Sequence, residues 1–381
     1  MRRWFAAPLV FVAAAALAFV GAPPAAAQPP APEEESFLTA DGVQLKGVFH
    51  ATDKTPGTAP VVILMYPPGP DRDMTKGDWA GLAKALNAQG YHAFRFDWRG
   101  HGKSTDIKDT DKFWRNTYLN GANNFNAGIK GGGPLKKPLK SELSFKDLSK
   151  PEKYFPAYLN DLAAVRLHLD TKNDNKAVNT SSIYLVGAGD AAALGMAWLA
   201  AEWKRPAVFP APGLLGFNVP GYEFVPQALN GAFPSEGGQD VSGAVWLSPT
   251  RPAAVPDRVA KGWVTAFAPK IRENNPMLFL HGEKDAAGKK GAEYFYNEVL
   301  VAEPRKGSGF SKIDQTFMKE VKGTAELSGV KLLGSGNPKK TDEVILDFLG
   351  AIQKERAKVP SKARGYSNPY FIDLRFFGFN P

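Results

Sequence analysis

The sequence predicts an α/β fold in which a mostly parallel central sheet is covered on both faces by helices. Two observations carry this expectation. Apolar runs alternate with segments of helical period along most of the chain, the pattern left by helical crossovers between parallel strands. The runs that read as strands, such as Pro60-Val-Val-Ile-Leu-Met-Tyr66, are apolar at successive positions, as strands buried on both faces must be. At 381 residues and 44% apolar content, one large core can be enclosed.

The N-terminus reads differently. Met1-Arg2-Arg3-Trp4 is a short basic start, Phe5 to Val20 is an unbroken apolar run, and Ala25-Ala26-Ala27 before Gln28 is a small-residue cleavage site. This order predicts a secretory signal peptide over 1–27 and a periplasmic or extracellular mature protein. An uncleaved membrane anchor is the alternative, since the run is only slightly shorter than the roughly 20 residues that span a bilayer. Residues 28–36, rich in Pro and Glu, carry too little apolar surface to pack and predict a flexible linker.

The domain is expected over 37–358. Phe37 to Ala40 and Val43 to His50 flank Asp41-Gly42, which marks an antiparallel hairpin. A strand over Pro60 to Tyr66 is followed by a helix over Gly77 to Gln89 and a strand over Tyr91 to Asp97. The helix Tyr158 to Asp170 places Leu159, Leu162, Val165 and Leu169 on one face. The strand Ile183 to Val186, the helix Ala191 to Trp203, and strands at Ala244 to Ser248 and Met277 to His281 follow. A helix at Gly291 to Val301, a strand at Val330 to Leu333 and a helix at Thr341 to Lys354 complete the series. Two long insertions, 105–157 and 204–240, interrupt it and are expected over the carboxyl edge of the sheet, where a lid would lie. The aromatic segment 359–381, with Tyr370, Phe371, Phe376 and Phe377, is too apolar for a free tail and is expected to pack back on the domain.

Composition excludes several chemistries. With no cysteine there is no disulfide, thiolate zinc site or cysteine nucleophile. No His, Asp or Glu cluster has metal-ligand spacing, and Gly334-Ser335-Gly336 lacks the rest of a phosphate-binding loop, so neither metal nor cofactor is expected. Removal of 1–27 takes away two arginines and leaves a net charge of about +7 on scattered residues. That pattern fits a solvated surface better than nucleic-acid binding.

Three segments carry a resemblance. Phe94-Arg-Phe-Asp-Trp-Arg-Gly-His-Gly-Lys-Ser104, Ile183-Tyr-Leu-Val-Gly-Ala-Gly-Asp190 and Pro276-Met-Leu-Phe-Leu-His-Gly-Glu-Lys-Asp285, in this order on this strand series, resemble the α/β-hydrolase superfamily. The likeness is to its lysophospholipase-like and serine-aminopeptidase-like branch, and it covers residues 37 to 355. It implies a nucleophile on a sharp turn after the fifth strand, then an acid, then a histidine.

Set against that order, the catalytic triad is degenerate. The nucleophile position falls on Gly189, and glycine relieves the strained backbone that such a turn imposes on any residue with a Cβ. Asp285 stands where the acid is expected. The five histidines are His50, His92, His101, His168 and His281, so none follows residue 281. The histidine position falls on Asn337, whose amide cannot serve as a general base. The turn after the third strand, Tyr66-Pro67-Pro68-Gly69-Pro70, has three residues without an N–H to offer an oxyanion. His101 reads as a loop-structuring residue and His281 as a packed one.

The leading functional expectation is therefore an exported pseudo-hydrolase acting as a binding or scaffold module, with an unidentified small-molecule or envelope ligand. One alternative is an active hydrolase with a displaced nucleophile, Asp190, as in the dehalogenase-like branch. Another would use Ser248, Ser335 or Ser104 beside Asp285. The first needs a histidine to activate water, so His101 or His281 would have to reach in from elsewhere.

Overall fold

The computed structural model of the chain describes residues 30–115, 125–204, 208–210, 224–226, 237–251, 255–301, 316–334, 340–364 and 372. The proposed signal peptide, Ser335, Asn337 and the four aromatic residues of the C-terminal segment lie outside them.

Among the described residues ten strands form, in chain order β1 Glu33–Leu38, β2 Gln44–His50, β3 Pro60–Met65, β4 His92–Phe96, β5 Asn179–Ala188, β6 Val208–Pro210, β7 Phe224–Pro226, β8 Val241–Leu247, β9 Met277–Gly282 and β10 Phe317–Val321. Eight of them make one sheet in the order β1-β2-β4-β3-β5-β8-β9-β10, while β6 and β7 pair with each other inside the second insertion. β2 runs antiparallel to β1 and β4, and every other pairing in the large sheet is parallel. Strands β3, β5, β8 and β9 are buried along their whole length, as their unbroken apolar runs require.

The helices are α1 Trp79–Ala88, α2 Thr110–Arg115, α3 Phe155–Asp174, α4 Asp190–Lys204, α5 Asp257–Val259, α6 Thr265–Asn274, α7 Ala286–Glu293 and α8 Lys340–Arg356. Asp78 caps α1 through Gly81 N and Asp285 caps α7 through Gly288 N, each satisfying an otherwise orphaned donor. Trp246, fully buried on β8, is the central packing piece. Side chains at Gly187 and Gly195 would collide with its ring, so both glycines let α4 lie close to the sheet.

The structure corrects two expectations and adds an element the sequence pattern does not announce. The linker expected over 28–36 is ordered from Glu33, because the carboxylates of an edge strand can face solvent while its backbone pairs. Glu34 meets Lys103 at 2.7 Å, and Glu35 meets both His168 and Lys172. The strand expected at Val330 to Leu333 is a 3₁₀ turn, Gly329–Leu332, and the last strand is β10, in parallel register with β9. Burial of Leu332 and Leu333 explains their apolar character without a strand. The helical stretch 257–274, which contains Pro269, was not expected; it includes a π-helical segment, Ala260–Val264.

Two buried ionic networks clamp the connections. Arg99, fully buried, binds Asp41 of the β1–β2 hairpin at 2.6 Å and Asp161 of α3 at 2.7 Å. Arg166 joins Asp170 and Asp240, each at 2.8 Å, and Arg364 reaches Asp240 at 3.0 Å. Together with Ile372, buried and bonded through its backbone to the Asn160 amide, Arg364 ties the described part of the C-terminal segment onto α3.

Candidate functional site

The link from β5 to α4 is a single residue, Gly189, with φ +54°. Its N–H donates to Leu247 O at 2.9 Å and its carbonyl accepts from Ala192 N at 3.1 Å, which fixes a sharp turn at the carboxyl edge of the sheet. A Cβ built on Gly189 would stand 3.3 Å from Pro67 Cβ and 3.6 Å from its Cγ. The ring of Pro67 thus packs directly against the elbow.

The turn that carries Pro67 is held from below. Tyr66 O accepts from the Trp98 indole N–H at 2.8 Å, and the Tyr66 hydroxyl donates to the Asp97 carboxylate at 3.2 Å. Asp97 also accepts from Met74 N and Lys103 N, and burial raises its pKa. Gly69 N–H, one of the two N–H groups in the turn, donates to His101 Nε2 at 3.0 Å. His101 Nδ1–H in turn donates to Arg99 O at 2.9 Å. Burial pushes the His101 pKa down to about 4, and a proton on Nε2 would face the Gly69 N–H. His101 therefore acts as a structural acceptor that fastens this turn.

The other four histidines are also engaged. His50 accepts from Arg95 Nε at 3.1 Å, His92 accepts from Thr52 N and donates to Pro56 O, His168 pairs with Glu35, and His281 Nδ1 donates to Gly282 O. None bonds to Asp190 or Asp285.

Asp285 follows β9, at the place the resemblance assigns to the acid. Its Oδ1 accepts from Gly288 N at 2.9 Å, while its buried Oδ2 has no hydrogen-bond partner among the described residues. The loop after β10 runs along this strand end, with Lys284 N donating to Ala325 O and Glu283 N to Thr324 Oγ1. Because β10 ends at Val321, that loop begins at 322 rather than 334, so the strand that placed Asn337 in register is replaced by one further upstream.

Asp190 opens α4 and is half-buried, and its carboxylate accepts from the Thr250 hydroxyl. Ser248 directly follows β8 with φ +45°, an unusual conformation for a residue with a Cβ, and its buried Oγ has no hydrogen-bond partner among the described residues. A Cβ on Gly288 would approach both Ser248 Cβ and Asp285 Oδ2, so these two side chains converge on α7. Ser104 lies elsewhere, with its hydroxyl accepting from Lys46 N on β2. The first insertion reaches the same edge: Phe145 N donates to Gly100 O, its ring lies 5.0 Å from His101, and Lys146 meets Asp71 at 2.9 Å.

Beside Thr250 a cleft of about 540 Å³ opens between the loop after β8 and the helix running from α7 into a π-helical segment, Tyr294–Val299. Among the described residues no group of three or more His, Asp or Glu could hold a metal ion, and no helix is long and apolar enough to cross a membrane. Sequence reasoning missed Pro67 as the residue facing Gly189, and missed the strain at Ser248; neither has a sequence signal, since both depend on which strand ends become neighbours.

No family model and no curated protein matches the sequence. Among solved structures, an esterase of Pyrococcus furiosus is similar at 13% identity and TM-score 0.46, over 84% of this chain and 90% of that one. A serine hydrolase homologue from Coxiella burnetii is similar at 14% identity and TM-score 0.43, over 83% and 96%. A protein of unknown function from Agrobacterium tumefaciens is similar at 14% identity and TM-score 0.47, over 87% and 100%. Likeness at this distance says nothing of chemistry. The sheet order, with β2 antiparallel among parallel neighbours, and the one-residue turn from β5 into α4 give this chain the α/β-hydrolase fold.

Proposed function

We propose that this chain is an exported α/β-hydrolase-fold protein that has lost hydrolytic chemistry and acts as a binding or scaffold module. The observation that carries the reading is the elbow itself. Gly189 offers no hydroxyl, and a Cβ there would stand 3.3 Å from the ring of Pro67, which contributes no N–H of its own. Three further features support it. No histidine follows residue 281, Gly69 N–H is committed to His101, and Asp285 caps a helix. A nucleophile needs a base within hydrogen-bond reach, and none of the five histidines bonds to Asp190.

The test is turnover by purified mature protein against p-nitrophenyl esters and aminoacyl amides, with a fluorophosphonate probe alongside. The expected outcome is no turnover above the uncatalysed rate and no labelling. Hydrolysis abolished by Asp190→Ala, or labelling of Ser248, would sink the reading. Export is checked separately, by N-terminal sequencing of protein from the exporting cell, with a start near Gln28 expected.

A further inference from the structure

We infer that the cleft between the loop after β8 and helix α7 binds a small zwitterion, a free amino acid or short peptide presenting one ammonium and one carboxylate. This supplies a ligand for the binding reading above and rests on it only to that extent. The cleft lies at the carboxyl edge, where open α/β sheets take their ligands, and its 540 Å³ falls in the size range of small-molecule sites. Thr250, which lines it, also bonds Asp190, so one wall is continuous with the elbow.

Its charges are balanced and only partly used. The Arg251 guanidinium lies 4.0 Å over the Tyr294 ring and bridges Asp257 and Glu298 at 3.2 and 3.3 Å, and Lys261 meets Glu298 at 2.7 Å. Two cations and two carboxylates therefore neutralise each other on the ring side of the cleft. What remains is one ammonium, Lys290, one carboxylate, Glu293, and the Asn297 amide, all lining the cleft. Lys290 and Glu293 are three apart on one helix face, yet no ion pair joins them. A ligand with a single net charge would leave one of the two facing a like charge or nothing. A zwitterion satisfies both, its carboxylate on Lys290 and its ammonium on Glu293.

The wall is also built unusually. It continues from α7 into the π-helical Tyr294–Val299, which packs against the second π-helical stretch, Ala260–Val264. Such segments are rare and frequently occur at functional sites, because the wider turn re-aims the side chains that follow.

Calorimetric titration of the mature full chain with alanine, alanyl-alanine and trialanine, each also as its N-acetyl and its C-terminal amide form, tests this. The expected result is saturable binding of at least one uncapped compound, weakened about fivefold or more by capping either end. Lys290→Gln should remove the discrimination against the amide, and Glu293→Gln the discrimination against the N-acetyl form. The comparison of alanine with the peptides separates an amino-acid site from a peptide site. Equal binding of capped and uncapped compounds, or none at all, would overturn the inference. Hydrolysis of the peptides by the same preparation would overturn the non-catalytic reading alone, since capping would still reveal whether both termini are held.

Discussion

A Cβ at position 189 is the sharpest probe of the elbow. At φ +54°, alanine meets the left-handed penalty of about 1–2 kcal/mol that glycine escapes. Its methyl would also sit 3.3 Å from Pro67 Cβ, close enough that the turn must give by a few tenths of an ångström. Against this, alanine lowers the entropy of the unfolded chain and returns about 0.4–1 kcal/mol. Gly189→Ala should therefore destabilise by about 1 kcal/mol, a fall in Tm of ~1–2 °C for a chain of this length. Gly131→Ala is the control, because φ there is +71° but nothing lies within 4 Å of the new methyl. Urea unfolding of Gly189→Ala, Pro67→Gly and the double variant isolates the contact as a coupling of about 0.5 kcal/mol or more. A neutral or stabilising Gly189→Ala would refute the left-handed elbow. Equal effects at 189 and 131 with no coupling to Pro67 would refute the Pro67 contact at the elbow that supports the non-catalytic reading.

Ser248→Gly should stabilise by about 1 kcal/mol in the same assay, because it relieves φ +45° and removes a buried hydroxyl without a partner; destabilisation would mean that the hydroxyl is bonded. Arg99→Met strands two buried carboxylates, Asp41 and Asp161, and should cost about 3–5 kcal/mol, with a loss under 1 kcal/mol counting against the clamp. Burial holds His101 at about 4 against an ordinary 6.5, so the unfolded chain takes up this proton first. Its contribution, about 3 kcal/mol, is complete above pH 6.5 and lost as the pH falls toward 4, and His101→Gln should flatten that part of the stability profile. Asp342 has the opposite sign: burial and the charges of Asp78 and Glu343 push it up to about 6, so it favours the fold as the pH drops from 6 toward 3.8. Asp342→Asn should raise stability at neutral pH, and an unchanged midpoint there would argue against this assignment.

The strand-helix alternation, the Asp41-Gly42 hairpin and the all-apolar strands were legible in the sequence because each is a local pattern of period and turn chemistry. The absence of a hydroxyl at 189 and of any histidine after 281 was legible for a simpler reason, since a missing residue type needs no geometry. The last strand was not. Val330 to Leu333 is the more apolar run, but Phe317 to Val321 pairs with β9, and pairing is settled by which segment can reach the partner in register. The edge strand from Glu33 was hidden for the same reason, its charged side chains reading as linker until Lys103, His168 and Lys172 are brought across from distant parts of the chain. The sequence alone determined the strands in the middle of the sheet and which residue types are missing, with no cysteine anywhere and no histidine after residue 281. Only the tertiary structure decided that Pro67 faces Gly189, that Gly69 is tied to His101, and that Lys290 and Glu293 share a cleft with Arg251. These contacts join strand ends and loops far apart in sequence, and no local pattern encodes them.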